Sequence, residues 1–258
     1  RLVDELHVIV MSTGVLQPAV SHLDARGQNA RVQQVLVNAT KYSMMVVLPV
    51  VVIYLVVGDA FISLWMGAKY GEACYGVLVV LTAAAAANVS QFTSTQILQG
   101  IARHGGTAYV TIAEAAANLA LSVFLVRRYG IIGVAVGTLV PMLLSNLIAI
   151  PWYTCRVIGL SLGRFYREGL LTPCIPACLF GALLYGASRM VKMDSWTEFA
   201  AVLAVCLAGY VFAAWHLCMS RDERARRLRE LSITARSGFA VIRSLVLSMR
   251  SRVERPVP

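Results

Sequence analysis

Charge is what this sequence has least of. Asp, Glu, Lys and Arg make up 14% of its 258 residues, and only 13 residues are acidic. A soluble domain carries about 25% charged residues and is about half apolar. Here the hydrophobic share is 58% and the mean hydropathy is +0.70. That excludes a single water-soluble domain, and the apolar content excludes a disordered chain. Catalytic and metal motifs are missing as well. None of the six cysteines forms a C-x-x-C pair, and His7, His22, His104 and His216 are scattered. His22 and Asp24 lie close together, but a metal site needs more ligands. No H-E-x-x-H, G-x-S-x-G or P-loop is present, and the aspartates never cluster. No catalytic residue, metal ligand or cofactor is assigned, and the chain is not expected to be an enzyme. The short alternating segments of a transmembrane barrel are also absent.

What is present is long runs without charge. A bilayer core of about 30 Å takes roughly 20 helical residues. Residues 6–23 carry no Asp, Glu, Lys or Arg and are broken by Pro18. They read as the end of a truncated span, residues 1–23. Full spans follow at 43–66, 73–102, 106–126, 129–155, 169–188 and 199–215. The expected fold is an all-α polytopic membrane protein with a connection at 24–42, a six-span lobe over 43–219 and a basic tail at 220–258. The chain opens on Arg1 with no legible signal peptide, so it is read as the C-terminal part of a longer protein.

Basic residues set the orientation. Sorted by alternate loops, Arg26, Arg31, Lys41, Arg103, Arg156, Arg164, Arg167 and the tail fall on one side. Lys69, Arg127, Arg128, Arg189 and Lys192 fall on the other. The excess lies mainly in the tail, so that side is read as cytoplasmic. Within the tail Arg229, Arg236, Arg243 and Arg250 recur every seven residues beside an apolar stripe. Such a helix lies in the membrane interface, its arginines on anionic headgroups. The other reading is a solvated basic extension that enforces topology. A nucleic-acid role is not expected, because stacking aromatics are nearly absent there.

Polar residues inside the spans are the remaining signal. Glu114 stands near the middle of its span, where a charge costs about 2.5–3.5 kcal/mol. Thr111, Glu114, Asn118 and Ser122 share one helical face, as do Asn88, Gln91, Thr95 and Gln99 on the preceding span, with Ser94 and Gln96 beside them. Thr138, Pro141 and Ser145 continue the theme on the next. Two readings stay open: a water-filled pathway, or interhelical hydrogen bonds that hold the bundle together. Gly133 and Gly137, Ala83 and Ala87, and Ala113 and Ala117 have the small-x-x-x-small spacing of close helix contacts.

Four passages carry a resemblance. Pro18 and Ser21 lead into Asp24-Ala25-Arg26-Gly27. The span 43–66 closes on Gly58-Asp59-Ala60-Phe61-Ile62-Ser63-Leu64-Trp65-Met66-Gly67, followed by Tyr70. The next ends on Gln96-Ile97-Leu98-Gln99-Gly100-Ile101-Ala102-Arg103. Asn118-Leu119-Ala120-Leu121-Ser122 then leads to Tyr129-Gly130-Ile131-Ile132-Gly133-Val134-Ala135-Val136-Gly137-Thr138. Over residues 10–155 the chain resembles the C-terminal half of polysaccharide flippases, the O-antigen and exopolysaccharide branch of the multidrug/oligosaccharidyl-lipid/polysaccharide exporter superfamily. One departure is that the family turn often has Gly where Ile101-Ala102 stands here.

The resemblance implies one lobe of a two-lobe bundle in a bacterial inner membrane. Its cargo would be an undecaprenyl-diphosphate-linked oligosaccharide, moved outward by alternating access. Asn88, Gln91, Gln96, Gln99 and Asn118 are then the candidates for sugar contacts. Arg103 is the candidate for the diphosphate, and Glu114 for proton or sodium coupling. Partners implied are the lipid-linked oligosaccharide and polysaccharide polymerase and export proteins. Competing readings are a cation-coupled drug or metabolite exporter, and a membrane glycan polymerase or acyltransferase. The last is disfavoured by the lack of a large outer loop.

Overall fold

The computed structural model describes residues 16–191, 193, 195–219 and 224. The start of the truncated first span and the tail arginines Arg229, Arg236, Arg243 and Arg250 lie outside the described residues. The chain forms two units, residues 1–214 and 215–258. In the second, the Arg224 guanidinium lies 2.9 Å from His216 Nδ1.

The described residues contain helices and no strand: α1 (Leu16–Ala25), α2 (Asn29–Met66), α3 (Ala68–Ser90), α4 (Phe92–Gly100), α5 (Gly105–Leu144), α6 (Ile150–Ile158), a single turn α7 (Leu162–Arg164), α8 (Thr172–Met190) and α9 (Trp196–Leu217). Two π-helical segments, Ser145–Ala149 and Phe165–Leu171, join α5 to α6 and α7 to α8. Five stretches are long and apolar enough to cross a membrane: Asn29–Met66, Cys74–Gly100, Gly105–Ile158, Leu162–Met190 and Trp196–Leu217. The protein is an all-α polytopic membrane protein, because only a helix satisfies its own backbone in hydrocarbon one segment at a time.

The third stretch is folded back on itself. Gly130 has φ 58° and ψ −138°, a backbone state open to glycine and strained for other residues. The arms on either side run antiparallel. A Cβ at Gly133 would lie 2.4 Å from the Leu125 carbonyl oxygen, and one at Gly137 would lie 2.7 Å from the Ser122 nitrogen. At 1.5 Å per residue each arm is about 40 Å long, more than a hydrocarbon core needs. Residues 106–126 and 129–155, read as separate spans, are these two arms. The close approach expected of Gly133 and Gly137 is their seam. Ala113 and Ala117 have the same spacing but are exposed, so spacing alone did not say which face is covered.

The segment 24–42 is more ordered than a connection. Beyond the end of α1 the chain turns at Gly27 (φ 66°), and Gln28 N–H donates back to the Leu23 carbonyl at 3.0 Å. α2 then begins at Asn29 and runs without interruption into the span. Its first turns bury Val32, Leu36 and Val37 with Val20, Ile97, Cys155, Leu160 and Phe165. Lys41, counted among loop charges, is buried on this helix. Helix α2 bends at Val57 (φ −128°, ψ 22°), and the Tyr75 hydroxyl donates to the Leu55 carbonyl beside that bend at 2.6 Å.

The bundle has an apolar part and a polar part. Val57, Phe180, Leu184, Phe199, Cys206, Tyr210 and Ala214 form one cluster from α2, α8 and α9. At its end Phe61 meets Trp196 edge-on at 6.0 Å and lies 6.1 Å from Trp65, the kind of aromatic group favoured at a membrane boundary. All six cysteines are free thiols; Cys155, Cys206 and Cys218 are buried, Cys74 and Cys174 half-buried, and Cys178 is exposed. Tyr109, Ile112, Leu119, Phe124 and Ile131 point outward from the α5 hairpin. On a spanning helix such a face is where hydrocarbon is met.

Candidate functional site

Polar side chains gather at three places in the unit of residues 1–214. The first is the seam of the α5 hairpin. Helical periodicity puts Glu114, Asn118 and Ser122 on one face of the first arm, and the reversal at Gly130 lays that face against the second. Asn118 Oδ1 accepts from the Ser122 hydroxyl at 3.0 Å and the Thr138 hydroxyl at 3.2 Å. Glu114 accepts a short hydrogen bond from the Ser145 hydroxyl, and Asn146 Nδ2 lies 3.5 Å from the same oxygen. Thr111 stays within its own arm, donating to the Thr107 carbonyl at 2.9 Å. Of these bonds the one from Thr138 crosses between the arms, as does a longer one from the Ser122 hydroxyl to the Val134 carbonyl at 3.5 Å, whereas Ser122 to Asn118 runs along one arm.

Asn146 went unnoticed in the sequence for a geometrical reason. A straight α-helix puts it about 80° round from Thr138. The π-helical turn Ser145–Ala149 turns less per residue and brings Ser145 and Asn146 to the carboxylate together. This turn follows Pro141, which has no N–H to give. Asn146 Nδ2 also donates to the Met142 carbonyl at 3.0 Å, occupying an acceptor at the irregular turn. Tyr166, in the second π-helical segment, donates to the Leu147 carbonyl.

The second place is a break in a charge-free span. The stripe Asn88, Gln91, Thr95 and Gln99 was read as one continuous helix face, but Gln91 has φ −102° and ψ 0°, and the helix restarts at Phe92. Gln91 is buried; its amide nitrogen donates to Ser90 Oγ at 3.1 Å and its oxygen accepts from Ser94 Oγ at 2.9 Å. The Thr82 and Thr93 hydroxyls, and that of Thr40 on α2, are buried and have no hydrogen-bond partner among the described residues. An unmade buried hydrogen bond costs about 1–3 kcal/mol, and no pattern along the chain marks these three. Asn88 and Gln96 are half-buried and Gln99 is exposed. Helix α3 packs against both α5 and the Ser145–Ala149 turn, so the break and the seam lie on neighbouring elements.

The third place is a cavity of about 270 Å³ at one end of the bundle, lined by Asp24, Asn29, Val32, Ile101, Arg103, Arg156, Val157, Ile158 and Gly159. Loops that the charge sorting put on one side meet here. The α4–α5 turn bearing Arg103 is closed by Arg103 N–H donating to the Leu98 carbonyl at 2.9 Å. Ala102 within it has φ 55°. A non-glycine residue there costs about 1–2 kcal/mol, and it stands in the stretch where the resembled family often has Gly. No group of three or more metal-ligating side chains occurs among the described residues.

Comparison with known proteins adds a direction. Over 178 residues, 69% of this chain, it is 24% identical to a Haloferax volcanii protein provisionally named low-salt glycan biosynthesis flippase Agl15, of which the match covers 37%. Over 113 residues, 44% of the chain, it is 27% identical to a Shigella flexneri protein provisionally named O-antigen transporter, of which the match covers 27%. The chain thus spans less than half the length of these curated relatives. No family model matches it, and no solved structure matches it.

Proposed function

We propose that the chain forms one lobe of a membrane transporter that moves a lipid-linked oligosaccharide between leaflets. The cargo is of the undecaprenyl-diphosphate class, moved from the cytoplasmic to the periplasmic leaflet of a bacterial inner membrane by alternating access. The C-terminus then faces the cytoplasm. The observation that carries this reading is the buried polar break at Ser90-Gln91 in an otherwise charge-free span. Discontinuous helices at depth in the membrane are where transporters place their sites, because broken backbone and amides there can meet a polar cargo. Buried hydroxyls at Thr82 and Thr93, without partners among the described residues, offer further capacity for sugar hydroxyls. Asn88, Gln96 and Gln99 lie on the same two helices. The similarity to two proteins named for glycan transport supports the same class of cargo.

In this reading Glu114, bonded by Ser145 and Asn146 from the opposite arm, is the coupling site for a proton or sodium ion. Polysaccharide polymerase and export proteins are its functional partners. The test is complementation by the intact protein in a strain lacking the transporter. Gln91→Leu and Glu114→Gln, at wild-type membrane abundance, are each expected to lower surface polysaccharide at least 10-fold. Full restoration by both overturns the assignment of these residues. Intact surface glycan with altered resistance to cationic dyes in the deletion strain replaces the reading with a drug exporter.

A further inference from the structure

We propose that Tyr166 is a positioning residue for Glu114, resting on the proposed function only for what Glu114 does in transport. Tyr166 supplies a hydrogen bond that Pro151 cannot, and so holds the turn that lays Ser145 and Asn146 on the carboxylate. The two π-helical segments are built alike. After each, an N–H donates five residues back, that of Ile150 to the Ser145 carbonyl and that of Thr172 to the Arg167 carbonyl. After each, the next residue is a proline, Pro151 or Pro173. In an α-helix the Leu147 and Gly169 carbonyls would accept from residues 151 and 173, four positions on. Proline has no N–H, so both donors are missing.

The first of these carbonyls is met from outside its own helix. The Tyr166 hydroxyl, in the second π-helical segment, donates to the Leu147 carbonyl. The Tyr166 ring is itself held: it meets Phe165 edge-on at 5.7 Å and packs against the cluster of Val32, Leu36 and Cys155. The second carbonyl has no matching clasp from α2. Gly169 packs on Thr40, where a Cβ would lie 3.5 Å from Thr40 Cγ2, but the buried Thr40 hydroxyl has no partner among the described residues. The Tyr166 bond therefore joins the two segments and satisfies only the one beside Glu114.

That bond decides where Asn146 points. A π turn is a helix carrying one residue more than the α register needs. Here the extra residue cannot be expelled, because both flanks are anchored. Upstream, Gly137 lies against the Ser122 backbone. Downstream, the Tyr153 hydroxyl donates to the Arg103 carbonyl at 3.0 Å, and Gln33 Nε2 donates to the Ile158 carbonyl at 2.9 Å. The extra residue can only slide along the helix. Without Tyr166, the Leu147 carbonyl finds a backbone donor by moving the π register on to the Trp152 N–H, five positions ahead. A backbone carbonyl left without a donor in hydrocarbon is costly, which drives the slide. Ser145 and Asn146 then return to α-helical angles, and Asn146 turns off the Glu114 oxygen that it shares with Ser145.

The experiment combines amide hydrogen exchange and infrared spectroscopy of the full-length protein in lipid nanodiscs with complementation of surface polysaccharide. Tyr166→Phe is expected to speed exchange of the amides of residues 145–152 by about 10-fold, the loss of one hydrogen bond. It should also shift the carboxyl band of Glu114, identified as the band lost in Glu114→Gln, and lower surface polysaccharide. Adding Pro151→Ala to Tyr166→Phe returns a backbone N–H to the Leu147 carbonyl and should reverse all three effects. Thr40→Val removes the hydroxyl beside the other π-helical segment and should leave the band and the polysaccharide unchanged. Unchanged exchange or an unmoved band in Tyr166→Phe overturns the proposal. Effects that Pro151→Ala does not reverse overturn it too, because Tyr166 then acts by packing. Full restoration of polysaccharide by Glu114→Gln, with exchange and band as expected, removes the coupling role of Glu114 and keeps the positioning by Tyr166.

Discussion

The α5 hairpin and the cluster around Phe180 are both built from helices long enough to span a membrane, and they are held in different ways. In the hairpin the contact residues are small or polar: Gly133 and Gly137 let backbone meet backbone, and Glu114, Asn118, Ser122, Thr138, Ser145 and Asn146 bond across or along the seam. In the cluster Val57, Phe180, Leu184, Phe199 and Tyr210 interdigitate from α2, α8 and α9, and the Tyr210 hydroxyl donates to the Met45 carbonyl at 2.6 Å. In water the cluster would be much the stronger, because burying large apolar groups is the main favourable term. In a bilayer lipid tails are as apolar as the cluster, so helix association depends on close packing and hydrogen bonds instead. Packing fit is therefore the property to perturb in both regions.

Backbone contact in the seam gives the largest expected effect. Gly137→Val places methyl groups where only 2.7 Å separates a Cβ from Ser122. It should cost about 3 kcal/mol in unfolding from mixed micelles, since a seam of backbone cannot yield as a side chain does. A cost under about 1 kcal/mol would show that the arms part freely. Phe180→Ala comes next, at about 2 kcal/mol, below the roughly 3–5 kcal/mol of a water-soluble core because the transfer term shrinks when lipid is the alternative. A value in the soluble range would mean that this cluster is driven as a soluble core is, and would remove the contrast. Asn118→Ala should be the mildest, about 0.6 kcal/mol, the mean for interhelical hydrogen bonds in membranes. A loss several times larger would mean that the seam works as a cooperative network centred on Asn118 rather than as separate bonds.

Helical periodicity made the hairpin face legible in advance. Glu114, Asn118 and Ser122 recur at steps of four, and Tyr129-Gly130 marks the reversal that brings them to the second arm. The same reasoning failed at Gln91, where stepping in threes and fours assumed a continuous helix. The break turns Gln91 inward onto Ser90 and Ser94, and leaves Gln99 exposed. It also failed at Asn146, because a π turn changes the angle per residue. Arg103 was singled out for its charge beside a span end. Its neighbours in the cavity, Asp24, Asn29 and Arg156, carry no local signal, since nothing in the chain near one refers to another.

By itself the sequence determined the class of fold and the long charge-free stretches, because the free energy of placing charge in hydrocarbon acts residue by residue and is visible in composition. It also determined where glycine and small residues permit tight turns and close helix contacts. Only the tertiary structure decided which small-residue pair is used, that the span at 74–100 is broken at Gln91, and that two arginines distant in the chain share one cavity. Those outcomes depend on helix–helix register and on backbone angles at single residues, where contributions of about a kilocalorie per mole decide between alternatives that a linear pattern leaves equal.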